Sequence, residues 1–145
     1  MGKTKLFYED IKPLKIDVDK INYYLKKLID NELKSKGDIS IIFCSDGYLL
    51  KMNQTYLNHN YFTDIITFDY VENNIISGDL FISYDRVIEN AKIYQTKVEQ
   101  ELLRVIFHGV LHLIGYNDKM KEEKEIMREK ENYYLKMVDF EEIKL

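Results

Sequence analysis

The chain has 145 residues, of which 46% are hydrophobic and 32% charged, with six glycines and one proline. This size and composition are typical of one globular domain spanning residues 1–145, and they exclude collagen-like, low-complexity and largely disordered chains. The formal net charge of −4 excludes a general electrostatic attraction to nucleic acid, so any contact with RNA has to be local.

The first half of the chain alternates short β-rich segments with helical patterns. A short strand is predicted at residues 5–8, and apolar residues at helical spacing predict a helix over residues 17–34 that ends near Gly37. A β-branched run predicts a strand over residues 38–44, and a second helix follows over residues 46–57.

The second half begins with two further strands, at residues 64–70 and 75–83, which a turn at residues 72–74 joins into a hairpin. Helical patterns then fill most of the remaining chain, at residues 85–94, 97–114 and 119–137. The last two helices are separated at Gly115. Together these elements predict an α+β fold, in which a small mixed β-sheet packs with about five helices.

The single cysteine, Cys44, excludes an intrachain disulfide bond and a thiolate metal site. Any metal ion must therefore be held by histidine and carboxylate side chains. No stretch approaches the roughly 20 uncharged residues of a membrane span, and we expect a cytoplasmic protein.

A pair of histidines lies in the least charged part of the sequence. Residues 105–117 contain no charged side chain, which predicts a largely buried helix. His108 and His112 are four residues apart, so they lie on one helix face with Cβ atoms about 6 Å apart, close enough for both imidazoles to bind one ion. A lone histidine in such a helix is typical of a hydrogen-bonded core residue, but a second unpaired imidazole would cost about 1–3 kcal/mol there unless something binds both rings.

Asp118 is the third candidate ligand. Gly115 can adopt positive φ and end the helix, so that the chain turns back and brings Asp118 to the same ion. Asp118 also stands just before the last predicted helix, where aspartate is a preferred N-cap, and its two oxygens are compatible with both roles. Three protein ligands leave a position for water, and zinc lowers the pKa of such a water to about 7. We therefore predict one catalytic Zn²⁺.

The spacing His-x3-His-x2-Gly-x2-Asp is similar to that of zinc peptidases. Those enzymes place a glutamate directly after the first histidine as general base, and here that residue is Gly109. Asp64 is a candidate either to orient a histidine without touching the ion or to act as a base, although a turn or strand-start role is the simpler interpretation. The same simple interpretation is favoured for Asp79.

Four segments of the chain resemble the YbeY family of bacterial metal-dependent endoribonucleases. The main one is His-Gly-Val-Leu-His-Leu-Ile-Gly-Tyr at residues 108–116. Three others occur in the family's order, Asn-Gln-Thr-Tyr at 53–56, Thr-Asp-Ile-Ile-Thr-Phe at 63–68 and Gly-Asp-Leu-Phe-Ile-Ser at 78–83. The resemblance implies a zinc site at one end of a cleft, cleavage of single-stranded RNA, and a role in ribosomal RNA maturation and ribosome quality control, with ribosomal RNA and ribosomal subunit proteins as partners.

The chain departs from the family pattern at three positions. The third metal ligand is commonly histidine in the family, whereas Asp118 stands here and should leave the bound water somewhat less acidic. Phe62 replaces a proline, and Leu57 replaces an arginine that could hold a phosphate. Candidates to replace that arginine are Lys51, His59 and Arg104, although Arg104 could instead pair with Glu101.

The last predicted helix mixes six basic and five acidic side chains. This favours a solvated face with ion pairs such as Lys119 with Glu123 and Lys121 with Glu125, and not an RNA-binding groove. Two alternatives to the RNA hydrolase remain open. One is a zinc peptidase, and the other is a non-catalytic ribosome assembly factor with a structural metal.

Overall fold

The computed structural model describes residues 2–145 and shows an α+β fold, as the sequence predicts. One four-stranded sheet has the order β1-β2-β4-β3. Its strands are β1 at Thr4–Tyr8, β2 at Ser35–Cys44, β3 at Ile65–Asp69 and β4 at Ile75–Ser83. The sheet is mixed because β1, β2 and β4 are parallel, whereas β3 pairs antiparallel with β4 as the predicted hairpin.

Five α-helices accompany the sheet, and a 3₁₀ turn follows at Phe140–Glu142. The helices are α1 at Val18–Asn31, α2 at Asp46–Leu57, α3 at Tyr84–Ile93, α4 at Val98–Ile114 and α5 at Lys121–Leu135. None of the helices within residues 2–145 is long and apolar enough to cross a membrane.

Helix α4 lies at the centre of the main hydrophobic core. Ten of its residues are buried, and they pack with apolar side chains of α1, β2 and β4. The helix approaches the sheet closely at Gly109, where an added Cβ would lie 2.7 Å from Ile65 Cδ1 and 3.0 Å from Leu80 Cδ2. Position 109 therefore faces the sheet, and α4 is fixed rigidly against it.

The end of α1 differs from the prediction of a helix reaching toward Gly37. The helix ends at Asn31, and Leu33 adopts a left-handed conformation with φ 61°. The N–H of Lys34 donates to the carbonyl of Ile29 at 3.1 Å, which is the hydrogen bond of a Schellman-type helix end. Glycine usually marks this position, and a leucine there gives no such signal in the sequence, so the helix was predicted too long.

The start of α5 also differs from the prediction. The N-cap is Met120, and the Glu123 side chain accepts from the backbone N–H groups of Met120 at 2.8 Å and Lys119 at 3.2 Å. The predicted N-cap role of Asp118 is therefore wrong. Glu123 binds the backbone before the helix instead of the Lys119 side chain, and Asp118 stays in the turn between α4 and α5.

Candidate metal centre

Three side chains converge where α4 ends. His108 and His112 project from one face of the helix, and Asp118 approaches from the following turn. The two Nε2 atoms lie 3.0 Å apart, and Asp118 Oδ2 lies 3.3 Å from Nε2 of His108 and 3.4 Å from Nε2 of His112. The structure therefore brings together the three ligands that the sequence predicts.

These distances fit a tetrahedral metal ion. Ligand atoms 2.0–2.1 Å from a zinc ion at tetrahedral angles lie about 3.3–3.4 Å from one another. Two of the three separations have this value, and the third is slightly shorter. One nitrogen pair and one oxygen are also a donor set that zinc accepts.

The hydrogen bonds of the two rings aim their lone pairs at the same point. His112 Nδ1 lies 2.9 Å from the carbonyl oxygen of Tyr116, which can only accept, so Nδ1 carries the proton. His108 Nδ1 lies 2.7 Å from Glu131 Oε2. Both neutral rings consequently present an unprotonated Nε2 toward a carboxylate oxygen. Three electron-pair donors in this arrangement could hold a cation between them.

The charges around His108 also favour a cation. Burial lowers the pKa of His108, but the hydrogen bond to Glu131 and the negative charges of Glu131, Asp64 and Asp118 outweigh burial and raise it above its usual value. The same negative charges would also attract a divalent ion, which competes with a proton for the lone pair of His108.

Glu131 is the functional residue that the sequence analysis missed. It belongs to the charged helix α5, which was interpreted as a solvated face, yet it is only 4% exposed. Its Oε1 lies 3.5 Å from Arg104 Nη1, while its Oε2 accepts from His108. The signal in the sequence was its position one helical turn after buried Met127 and just before buried Tyr134, on the apolar face of α5.

The turn that carries the Tyr116 carbonyl is itself anchored. The hydroxyl of Tyr116 donates to Glu32 at 2.5 Å, Lys130 Nζ lies 3.1 Å from the same carboxylate, and the Tyr134 hydroxyl also donates to it. Gly115, with φ 124°, lets the chain leave α4 in the direction of this cluster.

A cleft of about 280 Å³ opens beside the three ligands. His108, Asp118, Asp64, Glu101 and Arg104 are among the residues that line it. Arg104 Nε lies 3.1 Å from Glu101 Oε1, so its interpretation as a partner of Glu101 is confirmed. Two of the three candidate ligands, His108 and Asp118, are therefore open to the cleft.

Asp64 has the strand-start position that the simpler interpretation predicts, and its side chain also lines the cleft. It directly precedes β3, and its backbone carbonyl accepts from the N–H of Ser83 at 2.9 Å, while its side chain lines the cleft. Burial raises the pKa of Asp64, although the charge of His108 lowers it in part. The prediction of Asp79 as a turn or strand-start residue is wrong. Asp79 lies within β4, and its side chain accepts a hydrogen bond from the Tyr70 hydroxyl at 3.2 Å.

The remaining candidates lie elsewhere. Leu57 ends α2 and is 43% exposed. Lys51 and His59 are both exposed and are not part of the cleft lining, and His59 Nδ1 lies 3.0 Å from the Tyr61 hydroxyl. A peptidase-type glutamate in place of Gly109 would meet the sheet instead of the cleft, so the local structure disfavours the peptidase alternative.

The chain is similar to known proteins over most of its length. A family model described as Endoribonuclease YbeY matches residues 8–139. A relative from Parabacteroides distasonis, called endoribonuclease YbeY, is 51% identical over 126 residues, covering 87% of this chain and 89% of the relative. One of the same name from Flavobacterium johnsoniae is 48% identical over 119 residues, covering 82% and 86% of the two chains.

A solved structure is similar as well. The solution structure of TM1509 from Thermotoga maritima superposes with a TM-score of 0.65 at 26% identity, covering 94% of this chain and 87% of that one. The fold, the candidate His-His-Asp site and the match over residues 8–139 agree. The chain therefore belongs to the endoribonuclease YbeY family and is a hydrolase, as its sequence predicted.

Proposed function

We propose that residues 1–145 form one zinc-dependent hydrolase domain that cleaves single-stranded RNA in the cytoplasm and acts in ribosomal RNA maturation and ribosome quality control. The observation that carries the metal-dependent part is the convergence of His108, His112 and Asp118 within 3.0–3.4 Å. The family supports RNA as the substrate, and ribosomal RNA with ribosomal subunit proteins are the proposed partners.

The three side chains would hold one Zn²⁺ ion. When bound, the ion supplies a Lewis acid for the phosphodiester and lowers the pKa of the attacking water. Glu131 and the carbonyl of Tyr116 hold the two rings in the tautomer that leaves each Nε2 free. The protein thus fixes the ligands before the substrate arrives.

Asp64 is the proposed proton acceptor. Glu131 already makes the orienting hydrogen bond of His108, so the role proposed for Asp64, which lines the same cleft, is proton transfer. A carboxylate oxygen of Asp64 takes the proton of the water that attacks phosphorus and returns it to the leaving ribose oxygen as the phosphorus–oxygen bond breaks. Its raised pKa brings Asp64 closer to the neutral range where such transfer is efficient.

The test compares cleavage of single-stranded RNA by the zinc-loaded wild type and by His112→Ala. His59→Ala is the matched control, because His59 is exposed and lies outside the cleft lining. We expect the wild type and the control to cleave and His112→Ala to be inactive. Asp64→Asn should retain zinc and lose cleavage.

Two results would contradict the proposal. Cleavage of an unstructured protein instead of RNA would favour the peptidase. A wild type that needs zinc to fold but cleaves no RNA would favour the assembly factor with a structural metal.

A further inference from the structure

The cleft beside the metal centre has a basic wall formed by α5. Of the cleft residues, three carry a positive charge, Arg104 from α4 and Lys124 and Arg128 from α5. They lie in the same cleft as His108 and Asp118. These three side chains differ in their ion pairs within the protein and in their exposure to solvent.

Arg104 is held from two sides. Its Nε lies 3.1 Å from Glu101 Oε1 and its Nη1 lies 3.5 Å from Glu131 Oε1, and its side chain is only 14% exposed. Its guanidinium also lies 5.8 Å from the centre of the Tyr94 ring. Arg104 therefore neutralises buried carboxylates and has little freedom to meet a ligand.

Lys124 and Arg128 are less constrained by neighbouring groups than Arg104, and they can therefore meet a ligand. They are four residues apart on α5, so their side chains lie on one helix face about 6 Å apart. Lys124 is exposed and has no ion pair among residues 2–145. Arg128 has a 51% exposed side chain, and its nearest carboxylate oxygen, Glu131 Oε1, lies 3.6 Å away, beyond a normal hydrogen bond.

The negative groups near these two cations do not cancel them. The cleft lining holds four carboxyl groups, those of Asp64, Glu101, Asp118 and Glu131, against three cations, so one divalent ion makes its total charge positive. Lys124 and Arg128 also line a neighbouring outer groove, together with Lys121, Glu125 and Glu129. Of these five residues, only Lys124 and Arg128 line the cleft as well. The wall consequently offers positive charge toward the metal centre.

We propose that Lys124 and Arg128 bind a phosphodiester of the RNA strand next to the one at the metal centre. This inference rests on the proposed function. Arginine donates two parallel N–H bonds to phosphate oxygens, and lysine adds a mobile point charge. The pair holds the strand along α5, so that a neighbouring linkage reaches the metal centre.

The experiment measures the binding of a short labelled single-stranded RNA to zinc-loaded protein by fluorescence anisotropy at several salt concentrations, with the integrity of the RNA checked afterwards. Each lost phosphate contact should reduce the slope of log affinity against log salt by about 0.7. We expect the double variant, which loses the one phosphate contact, to show this reduction of about 0.7. Lys124→Gln and Arg128→Gln should each show part of it.

The matched control is Lys136→Gln. Lys136 is exposed at the opposite end of α5, about 18 Å along the helix axis from Lys124. The substitution Lys136→Gln removes the same charge from the protein, and the slope of log affinity against log salt should stay at the wild-type value. Arg128→Lys should keep the slope, because the charge is retained.

An unchanged slope in the double variant would overturn the inference while leaving the proposed function standing. A wild type that binds no RNA even at low salt would contradict both. Zinc content and thermal unfolding of each variant establish that the site is intact. Should Arg128→Gln disturb Glu131, the single variant Lys124→Gln decides, since Lys124 pairs with no acidic group in residues 2–145.

Discussion

The two histidines of the metal centre are held by different kinds of partner. His108 donates to the side chain of Glu131, which comes from another helix 23 positions along the chain. His112 donates to the backbone carbonyl of Tyr116, which is only four positions away. One support is a buried charge that depends on how α5 packs, and the other is a backbone group that depends on how α4 ends.

This difference separates two ways of weakening the site. The support of His108 can be removed by a single side-chain substitution, whereas the support of His112 can be changed only by altering the turn at Gly115. Because the charged partner also pairs with Arg104, we expect the larger losses on the His108 side.

The largest effect is expected for Glu131→Gln. The amide keeps the size of the side chain but removes the charge that holds His108 and Arg104. Loss of such a partner typically reduces metal affinity by about 10–100-fold. Breaking one side of a buried ion pair also costs about 3 kcal/mol of unfolding free energy.

Competition with a zinc chelator and denaturant unfolding measure the two effects. Glu129→Gln, an exposed residue of the same helix, is the control and should change neither. Wild-type zinc affinity in Glu131→Gln would show that the negative charge beside His108 does not matter for the site.

A smaller effect is expected for Gly115→Ala, which acts on the His112 side. An added Cβ would meet nothing within 4 Å, so the cost comes from the backbone alone, at φ 124°. We expect a loss of about 1–2 kcal/mol in stability and a decrease in zinc affinity that is smaller than for Glu131→Gln. Competition with a zinc chelator measures the zinc affinity, and denaturant unfolding measures the stability.

Gly47→Ala provides the matched glycine substitution. Gly47 lies in the first turn of α2, and its added Cβ would come no closer than 4.0 Å to Ser45 Oγ. This variant should be neutral or slightly more stable. Equal effects of the two substitutions would contradict the special role of the turn after α4.

The third effect depends on pH and concerns Glu101, the other partner of Arg104. Burial, with the negative charges of Asp64 and Glu131, raises the pKa of Glu101 from 4.5 to about 7 against the opposing charge of Arg128. The folded state therefore binds this proton more tightly than the unfolded state. The stabilisation is fully present below pH 4.5 and is lost as the pH rises through 7.

Glu101→Gln should remove this pH dependence. Between pH 5 and 8 the unfolding free energy of the wild type should fall by roughly 2–3 kcal/mol relative to the variant. Denaturant unfolding of both zinc-loaded proteins across this range measures the difference, and contributions from the other groups cancel. A constant difference between the two proteins would show that Glu101 stays ionised throughout.

The parts of the site that the sequence predicts are those encoded locally. His108, His112, Gly115 and Asp118 lie within eleven positions, so helix periodicity and one glycine suffice to bring the ligands together. Glu131 lies at helical spacing from Met127 and Tyr134, but that signal is weak. Its charged neighbours on α5 are typical of a solvated face, and its burial depends on packing against α4.

The same distinction applies to the fold. The bounds of α4 were predicted to within one residue, because its apolar run is long and ends at a glycine. The end of α1 was predicted too late, because Leu33 takes a left-handed conformation that glycine normally marks. Leu33 is 86% exposed and this helix end is closed by local backbone hydrogen bonds, so the side chain gives no signal of the left-handed turn.

The central claim is that two imidazoles and one carboxylate share a single metal ion. X-ray absorption at the zinc edge tests it most directly, on zinc-loaded wild type and on His112→Ala. We predict one zinc per chain in the wild type, with two nitrogen ligands and one carboxylate oxygen at about 2.0–2.2 Å, and loss of that zinc in the variant. A wild-type ion surrounded by oxygen atoms alone, or a variant with full zinc content and the same spectrum, would contradict the claim.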